Sequence, residues 1–265
     1  MQDNSARLNT VLAAQPENTK QRYPYRHPKD TIEFFEIEPG MTVIDVYPGE
    51  PGWYAPILVD FLGPEGRLIG ADFSLEMYPL LGSFATPKFM KQKQGWVERY
   101  IEKAGALGEG DGAAVDAFFL GSAPATLNKA VDVVLLIRAS HPLNRTGDAR
   151  FYRQALEEFR RILKPDGHIG VVQHRAPENA SEEWAQGFNG YVKQSRIISL
   201  FEEAGFVLVA ESDINANAKD QPTESDKVWR LPPTLRYSRF NPFERARMLE
   251  IGESDRMTLK FRMEQ

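Results

Sequence analysis

Apolar positions fall into two rhythms along the chain. Short β-branched runs bounded by Gly or Pro read as strands, and stretches with apolar residues three or four apart read as helices. Leu8, Val11 and Leu12 share one helical face, so a short helix leads. Asp30 is placed to cap a helix over 31–35, with Glu33 completing a capping box, and Pro39-Gly40 stops it. Residues 41–47 form a first strand, closed by Pro48-Gly49. Tyr54, Ile57, Leu58, Phe61 and Leu62 then mark a helix over 53–62. Residues 67–72 are a second strand ending in Asp72, followed by helices near 74–81 and 87–106. Third and fourth strands cover 114–120 and 130–137. An amphipathic helix over 148–163 is stopped by Lys164-Pro165-Asp166-Gly167, and 168–173 is a fifth strand. A helix over 193–204 and a sixth strand over 206–210 follow. Residues 257–263 alternate with period two, as in a seventh, edge-like strand.

This alternation predicts an α/β fold class, a mostly parallel sheet with helices on both faces. Continuously apolar strands suit it better than a half-wet antiparallel sheet. The pattern breaks between 212 and 255, where Pro222, Pro232, Pro233 and Pro242 punctuate a polar stretch. Such a segment is either a functional lid or a solvated surface insertion, and both readings stay open here. The expected organisation is an N-terminal helical extension over 1–27 and one domain over 28–265 that carries the insertion at about 212–255.

Composition narrows the chemistry by exclusion. The 265 residues include no cysteine, which removes disulfides, Cys-type zinc sites, iron–sulfur clusters and thiol nucleophiles. A formal net charge of −5 argues against a general nucleic-acid binder, because counterion release needs a basic surface. The first residues hold Asp3, Asn4 and Ser5 and no basic leader, and no apolar run approaches the roughly 20 residues of a membrane span. A cytoplasmic protein without a membrane partner is expected, with a removed signal peptide left open.

The chemistry-bearing element is the first strand, its loop and the helix after it. Gly49 and Gly52 would let the backbone approach a cofactor near a helix N-terminus, and Asp72 ends strand two where an acid can accept from both ribose hydroxyls. Together they propose a nucleoside cofactor over the strand ends.

In these features the chain resembles class I S-adenosylmethionine-dependent methyltransferases. The matching residues are Asp45 in strand one, the loop 47–51, Asp72, the step Gly121-Ser122-Ala123, the fourth strand and loop at 132–141, and Lys164-Pro165-Asp166-Gly167. It is also similar to a narrower group of predicted methyltransferases, through residues 40–43, 49–54, 170–176 and 253–261. The resemblance covers roughly residues 28–263. It implies a Rossmann-like, doubly wound, seven-stranded sheet with one antiparallel C-terminal strand. It also implies S-adenosylmethionine as cofactor and methyl transfer to a small-molecule acceptor. Two features depart from the pattern. Only Gly49 is glycine among the three loop positions Tyr47, Gly49 and Pro51, with Gly52 next to them, and Ser122 stands where many relatives carry an acid.

The cofactor set is thus Asp45, Tyr47, Gly49, Pro51, Gly52, Asp72, Ser122 and Arg138. His141 and His174 follow strands four and five, where either suits a general base, and each also suits a turn residue bonded to backbone. Tyr191 suits either substrate contact or core packing. Arg138 and Arg175 suit a substrate carboxylate or phosphate, or an internal ion pair. Trp229, Leu231, Pro232, Pro233 and Tyr237 of the insertion are placed to cap a pocket. No metal site is expected, and a homodimer is allowed. Two other functions stay in view. One is a non-catalytic relative that binds ligand through a degenerate loop; the other is a nicotinamide-dependent oxidoreductase, disfavoured because G-x-G-x-x-G is not met.

Overall fold

The computed structural model describes residues 2–264, apart from the side chains of Gln2 and Glu109. Met1 and Gln265, the outer ends of the two expected segments, lie outside the described residues. The leading segment folds as α1 (Gln2–Ala14), α2 (Glu17–Lys20), α3 (Tyr23–Arg26) and α4 (Pro28–Phe34). The alternating body follows as β1 (Thr42–Val46), α5 (Ala55–Leu62), β2 (Arg67–Asp72), α6 (Tyr78–Leu81), α7 (Pro87–Gln94), α8 (Trp96–Gly105), β3 (Ala114–Phe119) and β4 (Val131–Ile137). Next come α9 (Ser140–Arg145), α10 (Arg150–Ile162), β5 (Leu163–Ala176), β6 (Val192–Lys193), α11 (Gln194–Glu203), β7 (Phe206–Ser212), α12 (Pro242–Ile251) and β8 (Arg256–Met263).

The sheet runs β3-β2-β1-β4-β5-β8-β7, with the short β6 pairing beside the end of β5. β1 to β5 are parallel, and β8 is antiparallel to both β5 and β7. Period-two alternation divides each buried strand between two cores. Val43, Leu68 and Val133 face Leu8, Ile32, Leu58 and Phe61 of α1, α4 and α5. Ile44, Ile69 and Val134 face Tyr152, Leu156, Phe159 and Phe201 of α10 and α11. Strand order reverses at β1, which lies between β2 and β4, and the crevice beyond that switch point is where open α/β sheets place ligands.

The seven expected strands are present, with three corrections. A short eighth strand, β6, joins the sheet. The last strand is not at the edge: β8 fills the position between β5 and β7, and Met257, Leu259 and Phe261 are fully buried. Its alternating Thr258, Lys260 and Arg262 looked solvent-facing. Thr258 and Lys260 are instead buried, hydrogen-bonded to Asn215 and to the Phe34 carbonyl. Asp30 is no cap either, because Pro28 starts α4 one residue after His27, the N-cap residue, and Asp30 lies in the first turn.

The insertion is structured. Asn215 is buried between Thr31 and Thr258, and Asp220 is buried against Arg230 and the Tyr191 hydroxyl. Leu231, Leu235 and Met248 form a small core of their own under α12. No described helix is long and apolar enough to cross a membrane.

Candidate functional site

The loop from β1 to α5 opens on Tyr47, whose φ of +58° turns the chain out of the strand while its N–H donates to the Ala71 carbonyl at 2.7 Å. Gly52 has φ +96°, and a Cβ there would stand 2.2 Å from the Pro48 carbonyl oxygen. The loop therefore folds back on itself only because residue 52 is glycine. Trp96 Nε1 donates to the Gly49 carbonyl at 3.2 Å, and Arg99 and Lys103 pair with Glu50, so α8 holds the loop from outside.

Asp72 ends β2 as expected, but its carboxylate is already engaged. It accepts from the Phe73 N–H at 2.8 Å, the Tyr78 hydroxyl at 2.5 Å and Lys93 Nζ at 2.6 Å. A carboxylate offers about four acceptor positions, so one remains. The Tyr47 ring stacks on Phe73 at 4.3 Å and 14° beside this cluster. Asp45 is buried in β1. Burial pushes its carboxyl up to about 7, against the pull of Arg138. Ser122 donates to the Phe119 carbonyl at 2.6 Å and lines a cavity of about 520 Å³ with Glu76, Met77 and Gly121.

A larger cavity, of about 710 Å³, lies over the C-terminal ends of β1, β4 and β5. Six of the expected site residues converge on it: Tyr47, Gly49, Arg138, His141, His174 and Trp229. Pro232, Pro233 and Tyr237 of the insertion also line it, whereas Leu231 turns into its own core. The His141 and His174 rings are 5.8 Å apart, and His141 lies 6.2 Å from the Trp229 ring. Burial, Arg145 and Arg138 push the His141 imidazole down to about 3. Burial, His141 and nearby arginines push His174 down as well. Both rings are therefore neutral at physiological pH. His174 Nδ1 bonds the Ser254 hydroxyl at 2.5 Å, whereas His141 Nδ1 is buried with no hydrogen-bond partner among the described residues.

Pro51, Gly52, Asp45, Asp72 and Ser122 do not line this cavity; they shape the loop, the strands beneath it and the neighbouring pocket. Two expected substrate contacts are corrected. Tyr191 is fully buried, stacked on Trp184 with its hydroxyl donating to Asp220, so it is a core residue. Arg175 is held by Asp255 at 2.8 and 3.1 Å and faces Asp213, so it forms the internal ion pair.

The structure also supplies site residues that the sequence reading missed. Arg145 of α9 lines the cavity, and Tyr78 and Lys93 hold Asp72. Glu253 and Ser254 line the cavity from the strand-entry side of β8. Glu253 pairs with Arg22, with Arg26 at 3.1 Å and with Arg256 at 3.1 Å, which ties α3 to the site. The quoted tail motif at 253–261 contained the signal for Glu253 and Ser254. Lys93 had none, since a lysine on a short polar helix looks like a solvated face. Among the described residues no group of three or more His, Asp or Glu could hold a metal ion.

No family model and no curated protein matches the chain. Solved structures do. The chain is similar to a SAM-dependent methyltransferase from Aquifex aeolicus, at 18% identity and a TM-score of 0.51 over 76% of this chain and 93% of that one. A chain from a complex that contains the Haloferax volcanii Trm112 methyltransferase activator matches at 18% identity and a TM-score of 0.54, over 97% of this chain and 98% of that one. The geranyl diphosphate C-methyltransferase of Streptomyces coelicolor A3(2) matches at 12% identity and a TM-score of 0.50, over 94% and 85%. The chain has the Rossmann-like methyltransferase fold. At these identities the likeness speaks for the fold alone, and function is argued from the site.

Proposed function

We propose that the protein transfers a methyl group from S-adenosylmethionine to a small-molecule acceptor. The observation that carries this reading is the 710 Å³ cavity at the switch point of a methyltransferase fold. Its size falls in the range of about 300–1,000 Å³ typical of small-ligand sites. The residues present fit the cofactor. Gly49 brings backbone to the cavity wall, His141 lines it with a buried Nδ1 that has no partner among the described residues, and Asp72 ends β2 nearby, buried, with an acceptor position not taken by Phe73, Tyr78 or Lys93. Bound S-adenosylmethionine supplies an electrophilic methyl on a sulfonium. Asp72 would take the ribose hydroxyls by sharing or exchanging the Lys93 ammonium, and Tyr47 and Gly49 would hold the neighbouring part. The chain's part in rate is orientation within the cavity, with His141, a neutral ring of its lining, as a candidate proton acceptor. Trp229, Pro232 and Pro233 act as a lid that limits water.

The test is calorimetry with S-adenosylmethionine and S-adenosylhomocysteine. Saturable binding is expected, and Asp72→Asn should weaken it at least about tenfold, since hydrogen bonds to a charged group contribute about 1.5–3 kcal/mol. Absence of binding of either compound at millimolar concentration would overturn the reading. Engagement of Asp72 by Tyr78 and Lys93 favours a second reading, a ligand-binding protein without turnover. It predicts occupancy of the cavity by a small molecule with no methylated product.

A further inference from the structure

The chain is acidic overall, with 37 Asp and Glu against 32 Lys and Arg, yet its main cavity is cationic. Arg138, Arg145, Lys227 and Arg236 line it, and none has a carboxylate within 4.0 Å among the described residues. The carboxylate in the lining is that of Glu253, and three arginines from outside the cavity already share it. His141 and His174 add no negative charge. Arginines close by are matched: Arg175 with Asp255 and Asp213, and Arg230 with Asp220 and Asp226. Four cations without an ion-pair partner among the described residues thus share one concave place.

Arg138 is the centre of this set. Its φ of +60° carries the chain off β4, its N–H is bound to the Val172 carbonyl, and its guanidinium makes no hydrogen bond among the described residues. Asp45 and Glu253 act on it only from longer range, while Arg256 repels it. Its side chain is partly exposed at the cavity wall, so the guanidinium is open to a ligand, and a planar guanidinium matches a carboxylate or phosphate through two parallel N–H bonds. Arg145 has one bond, to the Leu81 carbonyl, and lies 5.4 Å from the Phe188 ring. Arg236 lies 6.0 Å from the Trp229 ring, so an aromatic surface sits beside the cations.

We propose that the methyl acceptor carries an oxyanion, a carboxylate or phosphate, that docks on Arg138 within the ring of Arg145, Lys227 and Arg236, with its apolar body against Trp229. This names the acceptor class for the methyl-transfer reading and rests on that reading. The cations also draw anions toward the cavity, because a concave site of one sign focuses the field. The cavity's size suits a small molecule, and the net charge of −5 argues against a nucleic acid as occupant. The same oxyanion chemistry could come from the cofactor's own carboxylate, so the experiment separates the two sources.

Phenyl phosphate is titrated by calorimetry into the full chain, alone and with saturating S-adenosylhomocysteine, with phenol as the neutral control. The expected result is saturable binding of phenyl phosphate that weakens with added salt, no binding of phenol, and a loss of at least about tenfold in Arg138→Gln that exceeds any change in S-adenosylhomocysteine affinity. Should Arg138→Gln fail to fold, Arg145→Gln/Arg236→Gln, with Arg236 exposed and Arg145 at the cavity wall, must show the same selective loss. Competition between phenyl phosphate and S-adenosylhomocysteine, with both lost in Arg138→Gln, would assign the arginine to the cofactor carboxylate and overturn the proposal. Binding of S-adenosylhomocysteine without any binding of phenyl phosphate at millimolar levels would overturn it too, and would leave methyl transfer standing. Binding of phenyl phosphate without S-adenosylhomocysteine would keep the anion site and remove the cofactor reading.

Discussion

His141 and His174 stand 5.8 Å apart, and their burial, with the arginines around them in second place, decides their chemistry. With Arg145 and Arg138 nearby, a proton on His141 is disfavoured, so the ring serves as a neutral acceptor but a weak base. Docking of an oxyanion on Arg138 offsets that field and raises the basicity of both rings, so the acceptor's charge and the base's strength are linked. The free protein shows the same field as a pH effect. The folded value of about 3 for His141 lies below the ordinary 6.5. Stability tied to it is complete above pH 6.5 and is lost as pH falls toward 3, because the unfolded chain takes up the proton first. Asp45, raised to about 7, acts in the opposite sense, since its stabilising proton is lost as pH rises through 7. Urea unfolding of wild type and His141→Gln between pH 7 and 4 should therefore diverge. The variant's stability should fall less steeply with acid, by up to about 1.4 kcal/mol per pH unit. Parallel slopes would show that His141 is freely protonated in the fold. At this scale Arg138 and His141 stood out in the sequence because they follow the end of β4, whereas His174 lies inside β5, two residues before its end. Tyr191 also lies near a strand end, and only packing against Trp184 and Asp220 shows that it faces the core.

Elements built from neighbouring segments were legible; those closed by distant partners were not. Most strand–helix steps from β1 to α11 carry their own apolar period and turn residues and lie close to where they were expected, but α9 and β6 were not expected and β5 begins at Leu163 rather than at 168. Pro87–Gln94 and Trp96–Gly105 are two helices because Gly95 interrupts what read as one. The tetrapeptide Lys164-Pro165-Asp166-Gly167 ends α10 but also lies within β5, where the register against β4 shifts. The position of β8 was hidden because its partners are far back in the chain, His168 opposite Arg262 for one. The glycine loop shows the opposite case. Tyr47 and Pro51 read as defects in a family pattern, yet Gly52 makes the fold-back that the loop needs. Gly52→Ala places a Cβ against the Pro48 carbonyl at a strained φ, so it should displace Tyr47 and Gly49 from the cavity wall. The expected outcome is a folded protein, by circular dichroism, that has lost S-adenosylhomocysteine binding in calorimetry. Unchanged affinity would show that the loop is not part of the cofactor site.

For the whole molecule, one glutamate and one strand join segments that are far apart in the chain. Glu253 draws Arg22 of the leading segment to Arg256 of β8, so the N-terminal helices brace a residue of the cavity wall from outside. β8 joins β5 to β7, and without it both would present open edges. Removal of residues 256–263 should therefore give a protein that elutes as aggregate in size-exclusion chromatography. A monomeric elution profile with intact sheet signal would contradict the central role of β8. The same strand sets a clock. Both of its neighbours are made earlier, so during synthesis the half-built sheet waits, with two unpaired borders, for a segment still inside the ribosome. Holding that intermediate soluble is work for chaperones, and codon changes that slow the passage between 212 and 256 lengthen the wait.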